Sequence, residues 1–199
     1  MVPGFLGVAA AVALLSAYSG ASSSQGFAPE QPIAFPHPTH VKTLGMNCVY
    51  CHFAANKSPD PGMPAVGTCM GCHTIIGPDR PKVGDRAAYK STEIAKLQKF
   101  WNDKQAIPWV RIHKLPDYVR FPHMRHVNAG VTCQTCHGDI QNMQRVYQYS
   151  SLNMGWCVNC HAGGYKAADG IKLAGLTPTP QDEAAAPKKA RYDCAICHY

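Results

Sequence analysis

The sequence lacks the usual marks of a hydrolase or of a phosphate-binding enzyme. It contains neither a recognisable Ser-His-Asp pattern nor a glycine-rich phosphate loop. Charged residues make up only 16% of the chain, and no basic residue precedes Lys42. A positively charged flank would orient a membrane segment or mark a secretory signal. The apolar N-terminus of this chain lacks such a flank. These absences exclude the common forms of acyl and phosphoryl transfer.

No cysteine lies outside a Cys-x-x-Cys-His motif, and there are five such motifs. Two thiols three residues apart can form thioethers with the two vinyl groups of one porphyrin, and the following His can ligate the iron as proximal ligand. Each motif therefore predicts one covalent haem c, five in all. The predicted attachment residues are Cys48, Cys51, Cys69, Cys72, Cys133, Cys136, Cys157, Cys160, Cys194 and Cys197, and the proximal ligands are His52, His73, His137, His161 and His198.

Structural zinc is the alternative interpretation, because paired Cys-x-x-Cys elements also build zinc sites. Zinc does not require a His directly after the second Cys, yet every pair in this sequence has one. All ten cysteines are used by the five motifs, so no disulfide is expected. We therefore favour haem over zinc.

Five histidines remain after the motifs are counted, which equals the number of irons that need a sixth ligand. Four of them form two His-x-x-His elements. The count predicts two His ligands on each iron. Methionine is the rival sixth ligand, with Met63 and Met154 best placed before a motif. The predicted distal ligands are His37, His40, His113, His123 and His126.

The formal charge of +7 suggests a polyanion-binding protein until the cofactors are included. Five haems would bring ten propionates, and each ferric iron with two His ligands would bring one positive charge. The sum 7 − 10 + 5 gives a net charge of about +2 for the oxidised holoprotein. Basic residues are then expected to pair with propionates, and no nucleic-acid partner is expected.

Residues 2–18 form an apolar, uncharged stretch that is followed by small polar residues. As a helix, this stretch would be about 26 Å long, the short limit for crossing a membrane. We expect a retained membrane anchor over residues 1–20, with a cleaved secretory signal as the alternative. Because haem c is attached outside the cytoplasm, the rest of the chain is expected on the periplasmic face.

An internal repeat divides the chain. Phe35-Pro36-His37-Pro38-Thr39-His40-Val41 precedes the first two motifs, and Phe121-Pro122-His123-Met124-Arg125-His126-Val127 precedes the next two. The repeat predicts two copies of one dihaem module. The predicted organisation is an anchor at 1–20, a spacer at 21–34, the first module at 35–82, a linker helix at 83–106, the second module at 107–163 and an extended tail carrying the fifth haem at 164–199.

Local patterns predict only short regular elements. Ser91 can cap a helix that ends at Asn102, with Ile94, Leu97, Phe100 and Trp101 on one face. Residues 109–115 alternate like a brief strand between prolines, and residues 163–190 are predicted to form an extended tether. We therefore expect a mostly irregular, haem-cored cytochrome c with a few short α-helices, little β-structure and an N-terminal transmembrane helix.

The Phe-x-His-x-x-His element before paired motifs resembles the class III multihaem cytochromes. A fuller likeness adds the apolar N-terminus, the five motifs and residues 107–119, IPWVRIHKLPDYV. Over these features the chain is similar to the pentahaem cytochrome subunit of bacterial alternative complex III. That family implies an electron-transfer subunit without a catalytic site, which carries electrons from a membrane quinol-oxidising complex to a periplasmic acceptor. The implied partners are an iron–sulfur protein, polytopic quinol-binding subunits and a monohaem cytochrome c.

A free or membrane-tethered periplasmic carrier of the class III type is the main alternative, and copurifying subunits would distinguish the two. A tetrahaem quinol oxidase with its haems close behind the anchor fits less well, because this chain has five motifs and a spacer. A multihaem enzyme such as a nitrite reductase often has a Lys in place of one motif His, and no motif here has that Lys.

Overall fold

The computed structural model describes Gly7, Val8 and residues 24–198, without the side chain of Leu173. The predicted anchor lies outside these residues except for Gly7 and Val8, which are helical. Within the described ranges, no helix has the length and apolar character needed to cross a bilayer.

Short helices separated by irregular chain make up most of the fold, as predicted. A single hairpin of two-residue strands, Asp79–Arg80 with Tyr89–Lys90, is the only sheet among the described residues. Pro38–Thr43 forms a π-helical turn and Ile140–Asn142 a 3₁₀ turn. The α-helices are Cys48–Cys51, Val66–His73, Thr92–Asn102, His123–Asn128, Cys133–His137, Met154–Gly163, Ala167–Leu173, Pro180–Ala184 and Cys194–Cys197.

A small hydrophobic core lies beneath the second motif. Ile33, Met70, Leu97 and Ile107 are buried together. Met70 comes from the helix that carries this motif, and Leu97 comes from the linker helix, so the core joins these two helices. Four partly buried residues pack against it, namely Val66, Cys69, Phe100 and Trp109.

The linker helix Thr92–Asn102 forms where the sequence predicts it. The Ser91 hydroxyl accepts a hydrogen bond from the Ile94 amide at 3.2 Å, which is the N-cap interaction. Leu97 is its buried residue, and Phe100 packs on the core. Trp101, predicted on the same face, is 47% exposed and lies outside that core, although a Cβ at Gly67 of the motif helix would lie 3.7 Å from its ring.

The strand predicted at residues 109–115 is not formed. Gln31 replaces a strand partner at this point, because its side-chain amide donates to the Val110 carbonyl at 3.0 Å and accepts from the Val110 amide at 2.9 Å. A single side chain satisfies one residue of backbone and cannot extend into a ladder. Prolines at 108 and 116 also limit the pairing that this segment can make.

The tail was predicted to be extended, but part of it is folded and docked. Helices form at Ala167–Leu173 and Pro180–Ala184, and the second begins with a Thr179–Asp182 capping box. Tyr165 and Ala168 are buried. The Tyr165 hydroxyl lies 3.3 Å from the Thr132 amide, which connects the tail to the third motif. The proline and alanine content of the tail therefore suggested an extended chain, although Tyr165 and Ala168 pack against the rest of the protein.

Candidate haem centres

Each of the five Cys-x-x-Cys pairs lies on a helical turn. Residues three apart on a helix lie on one face, so both thiols of a pair point to the same side. Asparagine side chains cap two of these turns: Asn47 accepts from the Val49 amide at 3.1 Å, and Asn153 accepts from the Trp156 amide at 2.8 Å. This local geometry is what attachment of one porphyrin through two thioethers requires.

Several motif thiols perturb one another electrostatically. The Cys133 side chain lowers the pKa of Cys48 to about 6, and the Cys48 side chain raises the pKa of Cys133. This contact places the first motif beside the third. In a haem-loaded chain these sulfurs are thioethers, so the shifts serve here as markers of proximity.

Other motifs are related in the same way. Burial, together with the charge of Cys51, raises the pKa of Cys69, which relates the second motif to the first. Burial and then Cys160 and Cys157 raise the pKa of Cys136 to about 12, and burial and then Cys197 raise that of Cys157. The thiols of the third and fourth motifs and of the fourth and fifth motifs therefore also perturb one another.

Three of the motif histidines have Nδ1 hydrogen-bonded to a backbone carbonyl. His52 pairs with Gly62 at 2.9 Å and His73 with Ile76 at 3.0 Å. His161 pairs with the Arg191 carbonyl of the tail at 2.6 Å. A carbonyl only accepts, so each Nδ1 donates and the neutral ring keeps its lone pair on Nε2. This arrangement is typical of metal-ligating histidines.

The two Phe-Pro-His-x-x-His elements have nearly the same internal geometry. Phe35 stacks on His40 with ring centroids 4.3 Å apart at 26°, and Phe121 stacks on His126 at 4.3 Å and 25°. The carbonyl of the proline four residues earlier accepts from Nδ1 at 3.1 Å in both cases. The second His of each element is thereby held in one orientation with Nε2 free.

Each of these second histidines faces the proximal His of the second motif in its own module. The ring centroids are 6.2 Å apart for His40 and His73 and 6.0 Å apart for His126 and His161. Metal–imidazole bonds are about 2 Å long and the ring centre lies about 1 Å farther, so two imidazoles on opposite sides of one metal have centroids about 6 Å apart. The observed separations fit an iron between the rings.

The first histidines of the two elements lie near the first motif of their modules. Burial, followed by the neighbouring His52 and His40, lowers the pKa of His37 to about 4. Burial also lowers the pKa of His137 to about 3, with contributions from His113, then His123 and His52. These rings are neutral at ordinary pH, as a metal ligand must be. The Nδ1 of His37 is buried without a hydrogen-bond partner among the described residues.

The fifth spare histidine has a different neighbour. His113 lies against His137, with its Nε2 3.3 Å from the His137 Nδ1 and the ring centroids 4.3 Å apart. The ring stacked on His198, in the fifth motif, is Tyr118, with the centroids 5.7 Å apart. The Arg120 amide also donates to the Cys197 carbonyl at 2.7 Å. The structure therefore brings His113 to the third motif and Tyr118 to the fifth.

The surroundings of the motifs fit a large apolar cofactor. Around the first motif Tyr50 is 55% exposed and Phe53 57% exposed, and Ile75 after the second motif is 90% exposed. A porphyrin face would cover apolar side chains of this kind. Among the described residues, no group of three or more His, Cys, Asp or Glu side chains is arranged to hold a metal ion. An iron within a porphyrin needs only axial ligands from the protein, and the facing histidine pairs are spaced to supply them.

Several contributors to these centres were not predicted. The stacked rings of Phe35 and Phe121 and the carbonyls of Pro36 and Pro122 had no predicted role. Their recurrence at matching positions in both elements was the available signal. The two methionine candidates are exposed, Met63 by 54% and Met154 by 70%. Ligation by the predicted residues stays a prediction.

Comparison with known proteins supports the same class. Residues 119–199 match the family described as "Cytochrome c7 and related cytochrome c". The chain is also 25% identical over 154 residues to the multiheme cytochrome c subunit of menaquinone reductase from Nitratidesulfovibrio vulgaris strain Hildenborough. That alignment covers 67% of this chain and 68% of the relative. The match and the likeness support a multihaem cytochrome c that transfers electrons.

Proposed function

Starting from a multihaem cytochrome c, we propose that this chain is an electron-transfer subunit of a membrane quinone oxidoreductase. It holds five covalent haems, does no bond chemistry of its own, and carries electrons between the quinone-reacting subunits and a periplasmic partner. The observation that carries this proposal is the repeated pair of facing histidines, with ring centroids 6.2 Å apart in the first module and 6.0 Å apart in the second. Such pairs suit irons that carry electrons without an open coordination position.

The ligand pairing follows from the ring geometry. The second His of each element would ligate the haem of the second motif in its module, as the His40–His73 and His126–His161 separations support. The first His would ligate the haem of the first motif, as the electrostatic neighbours of His37 and His137 support. Two axial histidines close an iron to small molecules, which suits an electron carrier better than an enzyme.

The membrane side of the proposal rests on two observations. The relative is a subunit of a menaquinone reductase, and residues 2–18 have the composition of an anchor. Alternative complex III, the assembly suggested by the pentahaem resemblance, oxidises quinol and sends electrons outward. The relative's name favours the opposite direction, towards menaquinone. Both directions use the same subunit on the outer face of the membrane and require polytopic quinone-binding partners.

The test is purification of the chain from native membranes in a mild detergent, with haem counted per chain. We expect five haems per chain and copurifying integral membrane subunits. Reduction of the haems by a menaquinol analogue would indicate the alternative complex III direction. Oxidation of the prereduced haems by a menaquinone analogue would indicate the reductase direction. A fully haem-loaded monomer without other subunits would contradict the complex and favour a free carrier.

A further inference from the structure

His113 occupies a place that separates it from the other four spare histidines. It lies in the irregular segment between Ile107 and Pro116 and is half-buried. Its Nε2 is 3.3 Å from the Nδ1 of His137, and the two rings meet edge to face at 74°. His113 therefore meets the proximal histidine of the third motif at the nitrogen that does not ligate iron.

This contact is too close for two axial ligands of one iron. The His113 and His137 centroids are 4.3 Å apart, whereas the facing pairs in the two modules are 6.2 and 6.0 Å apart. Opposed ligands need about 6 Å, for two metal–nitrogen bonds of about 2 Å each plus the rings. His113 cannot share an iron with His137 in this arrangement.

The chemistry of His137 fixes the direction of the hydrogen bond. If its Nε2 ligates the third haem, that nitrogen needs its lone pair, so the proton of the neutral ring resides on Nδ1. Nδ1 then donates to the Nε2 of His113, and this bond uses the single lone pair of that nitrogen. His113 thus takes the place that a backbone carbonyl has for His52, His73 and His161.

We propose that His113 is a positioning residue for His137 and not an iron ligand, an inference that rests on the haem ligation proposed above. By accepting the hydrogen bond from Nδ1–H of His137, His113 holds the proximal ring in one orientation and makes it a stronger donor to iron, which stabilises the ferric state. Only His37, His40, His123 and His126 then remain as distal histidines for five irons. One haem of the chain then has a sixth position without a histidine of this chain. By elimination it is the haem of the fifth motif, because the four distal histidines pair with the first four motifs and the ring beside His198 is that of Tyr118.

The experiment compares His113→Leu and His113→Gln with the unchanged protein, all as purified, haem-loaded full chains. The Leu variant removes the acceptor while keeping the volume. The Gln variant keeps an oxygen that can accept from the His137 Nδ1. The readouts are haems per chain, spin state by electron paramagnetic resonance, carbon monoxide bound to the reduced protein, and haem midpoint potentials by spectroelectrochemistry. His126→Ala is the matched control for loss of a ligand.

We expect four haems with two His ligands in the unchanged protein and the same four in His113→Leu. One haem midpoint potential should be higher in the Leu variant than in the unchanged protein. In the Gln variant the same potential should lie close to its value in the unchanged protein. His126→Ala should instead convert one low-spin haem to high-spin. A new high-spin haem in His113→Leu, with one more equivalent of carbon monoxide bound, would show that His113 is a ligand and overturn the proposal. An unchanged set of potentials in the Leu variant would also overturn it. A haem count below five in the unchanged protein would be a failure of the proposed function, and it is read separately.

Discussion

The two Phe-Pro-His-x-x-His elements share one local geometry, whereas the surroundings of their first histidines differ. The stacking and proline contacts of His40 and His126 agree within 0.1 Å. His37, however, has a buried Nδ1 without a partner among the described residues, while the Nδ1 of His123 donates to the Pro59 carbonyl at 2.9 Å. The acceptor Pro59 belongs to the loop after the first motif. The second module therefore depends on the first to orient its leading histidine.

The proximal histidines differ in the same way. In the first module His52 and His73 donate to carbonyls ten and three residues away in sequence. In the second module His137 meets His113, 24 residues away, and His161 donates to Arg191, 30 residues away. The first module supplies these contacts from within ten residues of each histidine, whereas the second draws one from its own first residues and the other from the tail. Repetition of a motif thus preserves the facing histidine pairs, while the chain around the motif sets the environment of each histidine.

The largest expected effect tests whether the two modules share their ligand pairing. His40→Ala and His126→Ala should each turn one low-spin haem into a high-spin haem, because each removes an imidazole opposite a proximal His. Electron paramagnetic resonance and carbon monoxide binding should show the same change, one haem per chain, in both variants. The thioethers remain, so the haem count should not fall. An effect in only one variant would break the equivalence of the modules.

A second expected effect concerns the core, which lies beneath the first module. Leu97→Ala should lower the free energy of unfolding by about 2–5 kcal/mol, because it leaves a cavity among Ile33, Met70 and Ile107. Denaturant unfolding followed by circular dichroism measures it. Leu176→Ala is the matched control, since Leu176 is 66% exposed and should change stability by less than about 0.5 kcal/mol. Equal effects of the two substitutions would show that this core does not stabilise the protein.

A smaller expected effect on stability concerns the residue that directly follows a motif, which differs between the first and the third motif. Phe53 follows the first, whereas Gly138 follows the third with φ +69° and would place a Cβ 2.6 Å from the Tyr149 ring. Gly138→Ala should cost about 1–3 kcal/mol of unfolding free energy, from the left-handed backbone and the displaced ring. Gly77→Ala is the control, because its Cβ would meet no atom within 4 Å. A thermal unfolding midpoint unchanged by Gly138→Ala would show that Tyr149 and the backbone adjust freely.

Most of what the sequence predicted correctly depends on residues close together in the chain. The helix capped by Ser91 was predictable because a cap acts over three residues and the apolar spacing is local. The strand at 109–115 and the extended tail were predicted wrongly for the opposite reason. Gln31 satisfies Val110 across 79 residues, and Tyr165 reaches Thr132 across 33. Neither contact can be predicted from the spacing of apolar and polar residues within one segment of the sequence.

The sequence by itself determined the attachment chemistry, because two thiols and a histidine at fixed spacing act on one turn of backbone. It also determined the repeat, whose matching residues produce matching geometry. Only the tertiary structure decided which histidines face each other, pairing His40 with His73 and His126 with His161. It likewise placed His113 on His137 and Tyr118 on His198. A count of histidines cannot distinguish these environments, because whether an imidazole faces an iron or a neighbouring ring depends on how distant segments pack.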